Sequence, residues 1–544
     1  MAVTETPARP GDASAVAAPA SPARDVASPA ATGLAAVVGT ADHKVVGRLY
    51  IATALLFALV SGVCGELLSI DRIDKVTGNT ILTQDNVFQV FTLHAVSGTF
   101  LFVLPLLIGV ALLVVPLQVG AKTVAFPRAA AASYWAFLVS GALLIASYIV
   151  NGGPGGGSSD GVDLFAVSLA AVMAALLLGV GCVVTTALTL RTPGMKLDRT
   201  PLFSWSMVAA GGVWLLSLPV LIASLALIYV DHRHGQKSFG QSSAIYGHLR
   251  WVMGQPQVYA YAVPVLGIAA DVVATFSGRR HSFHRIAMGA IGAFAVLGFG
   301  AFLPSFMNDR AVRQPLYILM AFAAVLPLVA MAGLWADGLR RGKVRWASPL
   351  LFMAAAFLML LVGVLGGAAD AVHPFGLHGT TWTTGVQHYA LMAAAIAGVG
   401  AVHHWATKIL GRPLSEGLGI LAALALLGGT VLLAFPDLVS GVFGNHGDQG
   451  TGMQGLNVVA AIGGGLAGIG FLLAVLNVLS GLRKNRGGTV DRGVHADPWQ
   501  GHTLEWLTSS PPAPENFTEP LPAVTSAEPL LDGRADPATE EVPA

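Results

Sequence analysis

Between Asp85 and Lys122 the chain carries no Asp, Glu, Lys or Arg, and comparable apolar runs recur along most of its length. About 20 such residues cross roughly 30 Å of hydrocarbon as an α-helix, so the chain reads as a polytopic, all-α membrane protein. Only 11% of its 544 residues are charged, against about 25% in ordinary soluble domains. A soluble enzyme is thereby excluded. A net charge of +1 gives no reason to expect a nucleic-acid partner. Cys64 and Cys182 both fall inside apolar runs. That placement argues against a disulfide framework, a zinc site or a covalently attached haem, and suits small buried residues.

Length and apolarity predict twelve spans, at about 46–68, 88–116, 130–150, 162–190, 203–230, 251–276, 285–306, 315–336, 347–369, 384–407, 416–436 and 454–481. Residues 1–41, rich in Ala, Pro, Thr and Ser and lacking a signal-peptide pattern, read as a disordered tail. Residues 42–485 form the membrane domain, and 486–544 a polar tail. With both termini cytoplasmic, the inner loops hold fourteen Lys and Arg and the outer loops seven, as the positive-inside rule requires. Only the loop between spans five and six runs against it. The Gly-rich segment Asn151 to Gly157 follows a span and lacks Lys, so it reads as a turn rather than a phosphate loop.

Of fifteen histidines, only His94 and His388 lie clearly within spans; His403 and His404 sit at the inner end of span ten. An imidazole in hydrocarbon is costly and marks either function or a bond to a neighbouring helix. Spans two and ten both start at the outer face, and the rise per residue puts the two imidazoles roughly 6–9 Å below it. Two neutral histidines at one depth are what a six-coordinate, low-spin haem needs. The outer-loop triplet His232-Arg233-His234 has spacing that could also hold a divalent metal on an extended segment, although loop histidines are ordinary.

At these residues the sequence resembles subunit I of the haem-copper oxidases, the cytochrome c oxidase family, and most closely its actinobacterial aa3-type members. The matching stretches are Asp42-His43-Lys44, Phe91 to His94, Val115 to Gly120, Ala125 to Arg128, Pro201 to Trp205, Leu218 to Leu221, Trp251 to Tyr259, Leu377-His378, His388-Tyr389, and Asp497 to Trp506. They run in family order over about residues 42–517, and twelve spans with both ends inside is also the family topology. The resemblance makes His94 and His388 the axial ligands of the low-spin haem, and it implies a bilayer, other respiratory subunits and an outer-face electron donor as partners.

The same resemblance marks what is missing. The family's first copper histidine aligns with Gln255, the next two with Ser305 and Phe306, and the high-spin haem ligand with Val386. No histidine occurs between His284 and His373, so no realignment restores the pair. None of these residues replaces imidazole at copper or at haem iron, Gln255 being at best a weak oxygen donor. Three proton-path positions carry Thr123, Gln257 and Met331, and no other acid or lysine relay is expected through the spans. Tyr259 survives, but without an imidazole partner it reads as a packing residue. The arginine that meets the formyl group of haem A aligns with Ser69, with Arg72 close by. The propionate arginines align with Gly447-Asp448-Gln449, and an outer acid with Gly379. These losses favour one haem B over haem A and no active-site copper.

The leading expectation is therefore a degenerate paralogue in the bacterial plasma membrane, lacking the binuclear centre and transferring electrons through a single bis-histidine haem. The alternatives are a working terminal oxidase subunit I, as homology-based naming would give, and a non-catalytic scaffold or regulatory subunit of a respiratory complex.

Overall fold

The computed structural model describes residues 33–73, 81–241, 244–254, 257–281, 283–298, 310–447, 453–484 and 497–532. It divides into two units, Met1–Thr40 and Ala41–Ala544. In the first, Leu34–Val38 forms a short helix; the expected disordered tail otherwise falls mainly on residues 1–32, outside the described residues. The second unit is an all-α bundle, in which the described residues include an isolated bridge, Ala513 to Asn516, but no strand.

Its principal helices in chain order are α1 (His43–Asp71), α2 (Asn86–Gln118), α3 (Pro127–Ile149), α4 (Ser159–Thr189), α5 (Leu202–Arg233) and α6 (Gln257–Ser277). They continue with α7 (His284–Gly298), α8 (Gln314–Arg341), α9 (Ser348–Asp370), α10 (Thr381–His404), α11 (Glu416–Val442) and α12 (Gln454–Lys484). All but α7 are long and apolar enough to cross a membrane. The expected seventh span ran to residue 306; its described helix ends at Gly298, and 299–309 lie outside the described residues. The expected sixth span began at Trp251, which lies in a separate 3-10 turn; the described helix α6 begins at Gln257, and residues 255–256 lie outside the described residues.

Sequence chemistry places α2 in the middle. It is the most hydropathic helix and its most apolar stretch is wholly buried, as expected for a helix that is hydrophobic all round. It packs on α1, α4 and α10, while α10 packs in turn on α9, α11 and α6. Without a hydrophobic drive between helices in lipid, close approach depends on small residues. A Cβ on Gly47 of α1 would lie 2.6 Å from the Gly109 carbonyl oxygen of α2, and one on Gly463 of α12 only 2.1 Å from the Leu433 nitrogen of α11. Gly463→Ala is therefore expected to force α11 and α12 apart and to destabilise the protein by about 1–3 kcal/mol. Thermal unfolding in detergent, with Gly468→Ala, where a Cβ meets nothing within 4 Å, as the control, measures this.

The segment 497–532 departs from the expected picture of a polar tail by folding back onto the bundle. The Lys44 ammonium donates to the Pro514 carbonyl (3.0 Å) and to Asn516 Oδ1 (3.1 Å), and Asn516 Nδ2 donates to the Ala121 carbonyl (2.8 Å). Trp499 Nε1 donates to the His404 carbonyl (2.9 Å), and Lys408 Nζ to the Thr508 carbonyl (2.8 Å). Burial lowers Lys408 to about 8. The tail thus supplies partners for polar groups at the helix ends that would otherwise be buried unpaired.

Candidate functional site

His94 lies on α2 directly before a π-helical stretch, Ser97–Val103. Such departures from α geometry recur at functional sites. Locally, the Ser97 hydroxyl donates to the Leu93 carbonyl (2.6 Å). On the facing surface of α1, Ser61 and Gly65 form a seat for the imidazole. His94 Nδ1 lies 2.8 Å from the Ser61 carbonyl oxygen and donates to it, so its proton sits on Nδ1 and the Nε2 lone pair is free for a metal. A Cβ on Gly65 would lie 2.7 Å from His94 Cε1 and 2.9 Å from Nδ1. Glycine is what lets the ring sit there.

His388 lies on α10, and the structure brings the two imidazoles together from different helices: the ring centroids are 6.0 Å apart, with the planes steeply inclined at 62°. Imidazole-to-metal bonds of about 2.0–2.1 Å on opposite sides of one ion place two ring centres about 6 Å apart. The spacing suits one iron between them. Both rings remain partly uncovered, His388 at 22% of its side chain, and His388 Nδ1 has no hydrogen-bond partner. Its neighbour is Asp437 of α11, whose Oδ2 is 4.0 Å from Nδ1. Asp437 Oδ1 accepts from the Arg72 guanidinium at 2.5 Å. Sequence reasoning missed Asp437; the signal was an acid inside an apolar run, a costly placement that usually has a named partner.

The remaining predicted positions are dispersed. Val386 is buried and packs on α9, where a Cβ on Gly366 would lie 2.8 Å from its Cγ2. Gln255, Ser305 and Phe306 lie outside the described residues. Thr123 is exposed in a turn, Met331 is buried in α8, and Gln257 opens α6. Tyr259 is buried beside Phe294, its hydroxyl 3.5 Å from the Gly363 carbonyl oxygen. Ser69 is buried, Gly447 lies in a loop, and Asp448 and Gln449 fall outside the described residues. Gly379 adopts φ +80°, and its carbonyl accepts from His446 at 3.1 Å.

The outer-loop triplet, read from the sequence as ordinary loop histidines, is engaged by acids: His232 Nδ1 is 2.7 Å from Asp163 Oδ1, and Arg233 reaches Asp160 and Asp163. One expectation needs correction: the interior is not free of acids. Asp271 of α6 accepts from Gln118 Nε2 at 2.8 Å, and the same amide donates to Glu505 of the tail at 3.2 Å. Trp405 Nε1 also donates to Glu505 (3.1 Å), whose other oxygen is unpartnered, and burial pushes its carboxyl up. At the opposite end, the Asp370 carboxylate beside His378, 3.1 Å away, holds that imidazole above its ordinary value.

A family model described as cytochrome c and quinol oxidase polypeptide I matches residues 45–466. The chain belongs to that family. A relative named putative cytochrome c oxidase subunit 1-beta, from Streptomyces avermitilis, is 30% identical over 520 residues, covering 91% of each chain. Cytochrome c oxidase subunit 1 of a Synechocystis species is 31% identical, covering 88% of this chain and 89% of the relative. Among solved structures, a chain from a heme-copper terminal oxidase dimer matches the fold with a TM-score of 0.67 at 15% identity, covering 89% of this chain and 88% of that one. Membership makes this a multi-pass membrane protein of the cytochrome c oxidase subunit I type, with haem as the family's cofactor and the bilayer and respiratory proteins as its setting.

Proposed function

We propose that the chain is a membrane electron carrier that holds one low-spin haem between His94 and His388 and has lost the oxygen-reducing centre. The observation that carries this reading is the 6.0 Å separation of two imidazoles from different spans, joined to the absence of histidine at the four positions of the second site. Haem bound there would supply one-electron chemistry. The protein's own part is to fix the His94 ring through Ser61 and to seat it against Gly65. His94 and His388 would together hold such a haem by two imidazoles, a ligand set that suits electron transfer rather than substrate binding.

Haem B suits the site better than haem A. Ser69 stands at the formyl-arginine position, and the nearby Arg72 is committed to Asp437 and to Asn457 Oδ1 (3.2 Å). The Lys and Arg distribution supports cytoplasmic termini, with both histidines nearer the outer face and within reach of an outer-face donor. Thr123, Gln257 and Met331 stand at the family's proton-path positions, which supports electron transfer without proton pumping.

Reduced-minus-oxidised and carbon-monoxide difference spectra, with metal analysis of the purified haem-loaded protein, test the reading. The expected result is one low-spin haem per chain, no carbon-monoxide shift, no stoichiometric copper and no O2 consumption. A carbon-monoxide-shifted haem with one copper per chain would revive the terminal oxidase. A haem that no donor or acceptor can reduce or oxidise would leave a scaffold.

A further inference from the structure

We infer that Asp437 is a positioning residue for His388: in the haem-loaded protein its Oδ2 accepts the Nδ1–H of that imidazole, and its charge, balanced by Arg72, sets how readily the haem is reduced. The inference rests on His388 being an axial ligand. Asp437 Oδ2 and His388 Nδ1 are both buried, both without a hydrogen-bond partner, and 4.0 Å apart. One is an acceptor and the other a donor, and a small rotation joins them. Two complementary buried atoms this close are more costly apart than joined.

The surroundings hold the carboxylate in place. Arg72 binds its other oxygen and is itself fixed by Asn457, which accepts from the guanidinium at 3.2 Å and donates to the Arg72 carbonyl at 3.0 Å. The Thr381 hydroxyl, at the start of α10, donates to the Asp437 carbonyl at 3.0 Å, which pins α10 against α11 in register. The two ligands are therefore unequal: His94 leans on a neutral carbonyl, and His388 on an anion. A carboxylate on the far nitrogen of a ligating imidazole fixes its tautomer and raises its basicity, which favours the ferric state.

Redox titration and low-temperature electron paramagnetic resonance of the full-length, haem-loaded protein test this with Asp437→Asn and Arg72→Gln. Asp437→Asn should keep its haem, alter the anisotropy of the low-spin ferric signal, and shift the reduction equilibrium toward ferrous by about tenfold or more, which is about 59 mV for one electron. Arg72→Gln, which leaves the carboxylate unbalanced, should shift it the other way, and Asp437→Glu should restore most of the original potential. An unchanged potential and signal in Asp437→Asn, or a shift of both variants in one direction, would overturn the inference. If Asp437→Asn fails to fold, an unchanged potential in Arg72→Gln overturns it alone. Absence of a bis-imidazole signal in the unsubstituted protein would instead sink the ligand assignment on which it rests.

Discussion

Replacing His94 or His388 by Ala should abolish the low-spin haem spectrum while the chain still inserts and remains multi-pass. In the proposed reading each imidazole would supply one of two bonds to the haem iron, and the other histidines of α10 are remote: His403 and His404 lie fifteen and sixteen helical positions, about 22 and 24 Å, along the helix from His388. His403 is also spoken for, with Nδ1 2.9 Å from the Val399 carbonyl and Nε2 3.3 Å from Asn477. Pyridine haemochrome content and difference spectra of the two variants, against membrane yield, are the measurement. A full bis-imidazole spectrum from His94→Ala would show the assignment to be wrong.

Gly65→Val should be nearly as damaging, although the residue contacts no metal. The added Cβ would fall 2.7 Å from His94 Cε1, closer than side-chain carbons approach. The imidazole must swing out and give up its bond to the Ser61 carbonyl, since α1 and α2 are already closely packed one turn away, where a Cβ on Gly98 would lie 2.8 Å from Ser61 Oγ. Loss of the group that orients a metal-binding histidine costs on the order of 10–100-fold in affinity. Haem content after purification at limiting haem reads the effect. Gly62→Val, one turn away with nothing within 4 Å of its added Cβ, should keep its haem, and equal loss in both variants would point to general disruption of α1.

The sequence by itself determined the class of protein, most of the helices and the two histidines. Membrane spans are legible because hydrocarbon demands about 20 apolar residues in a row and tolerates few exceptions, so an imidazole or a carboxylate inside a run stands out. His94 and His388 stood out for that reason, and Asp437, just beyond the expected end of span eleven, did so less clearly and was missed. The absence of histidine from Gln255, Ser305, Phe306 and Val386 is likewise a fact of the sequence, because a histidine can be counted without knowing where it would point, and the proposed loss of a copper site rests on it.

Tertiary structure alone decided the rest, because it depends on which helices touch and through which faces. Linear spacing gave a depth for His94 and His388 but not that α2 and α10 are neighbours, and it could not show Gly65 beneath one ring or Asp437 beside the other. Nor did composition reveal the fate of residues 497–532. They read as polar tail, yet Asn516, Trp499 and Glu505 lie against Lys44, the His404 carbonyl and Gln118. Periodic apolar patterning records what a helix hides from water, whereas a polar clasp is written in single residues whose partners lie hundreds of positions away, and only the folded chain brings them together.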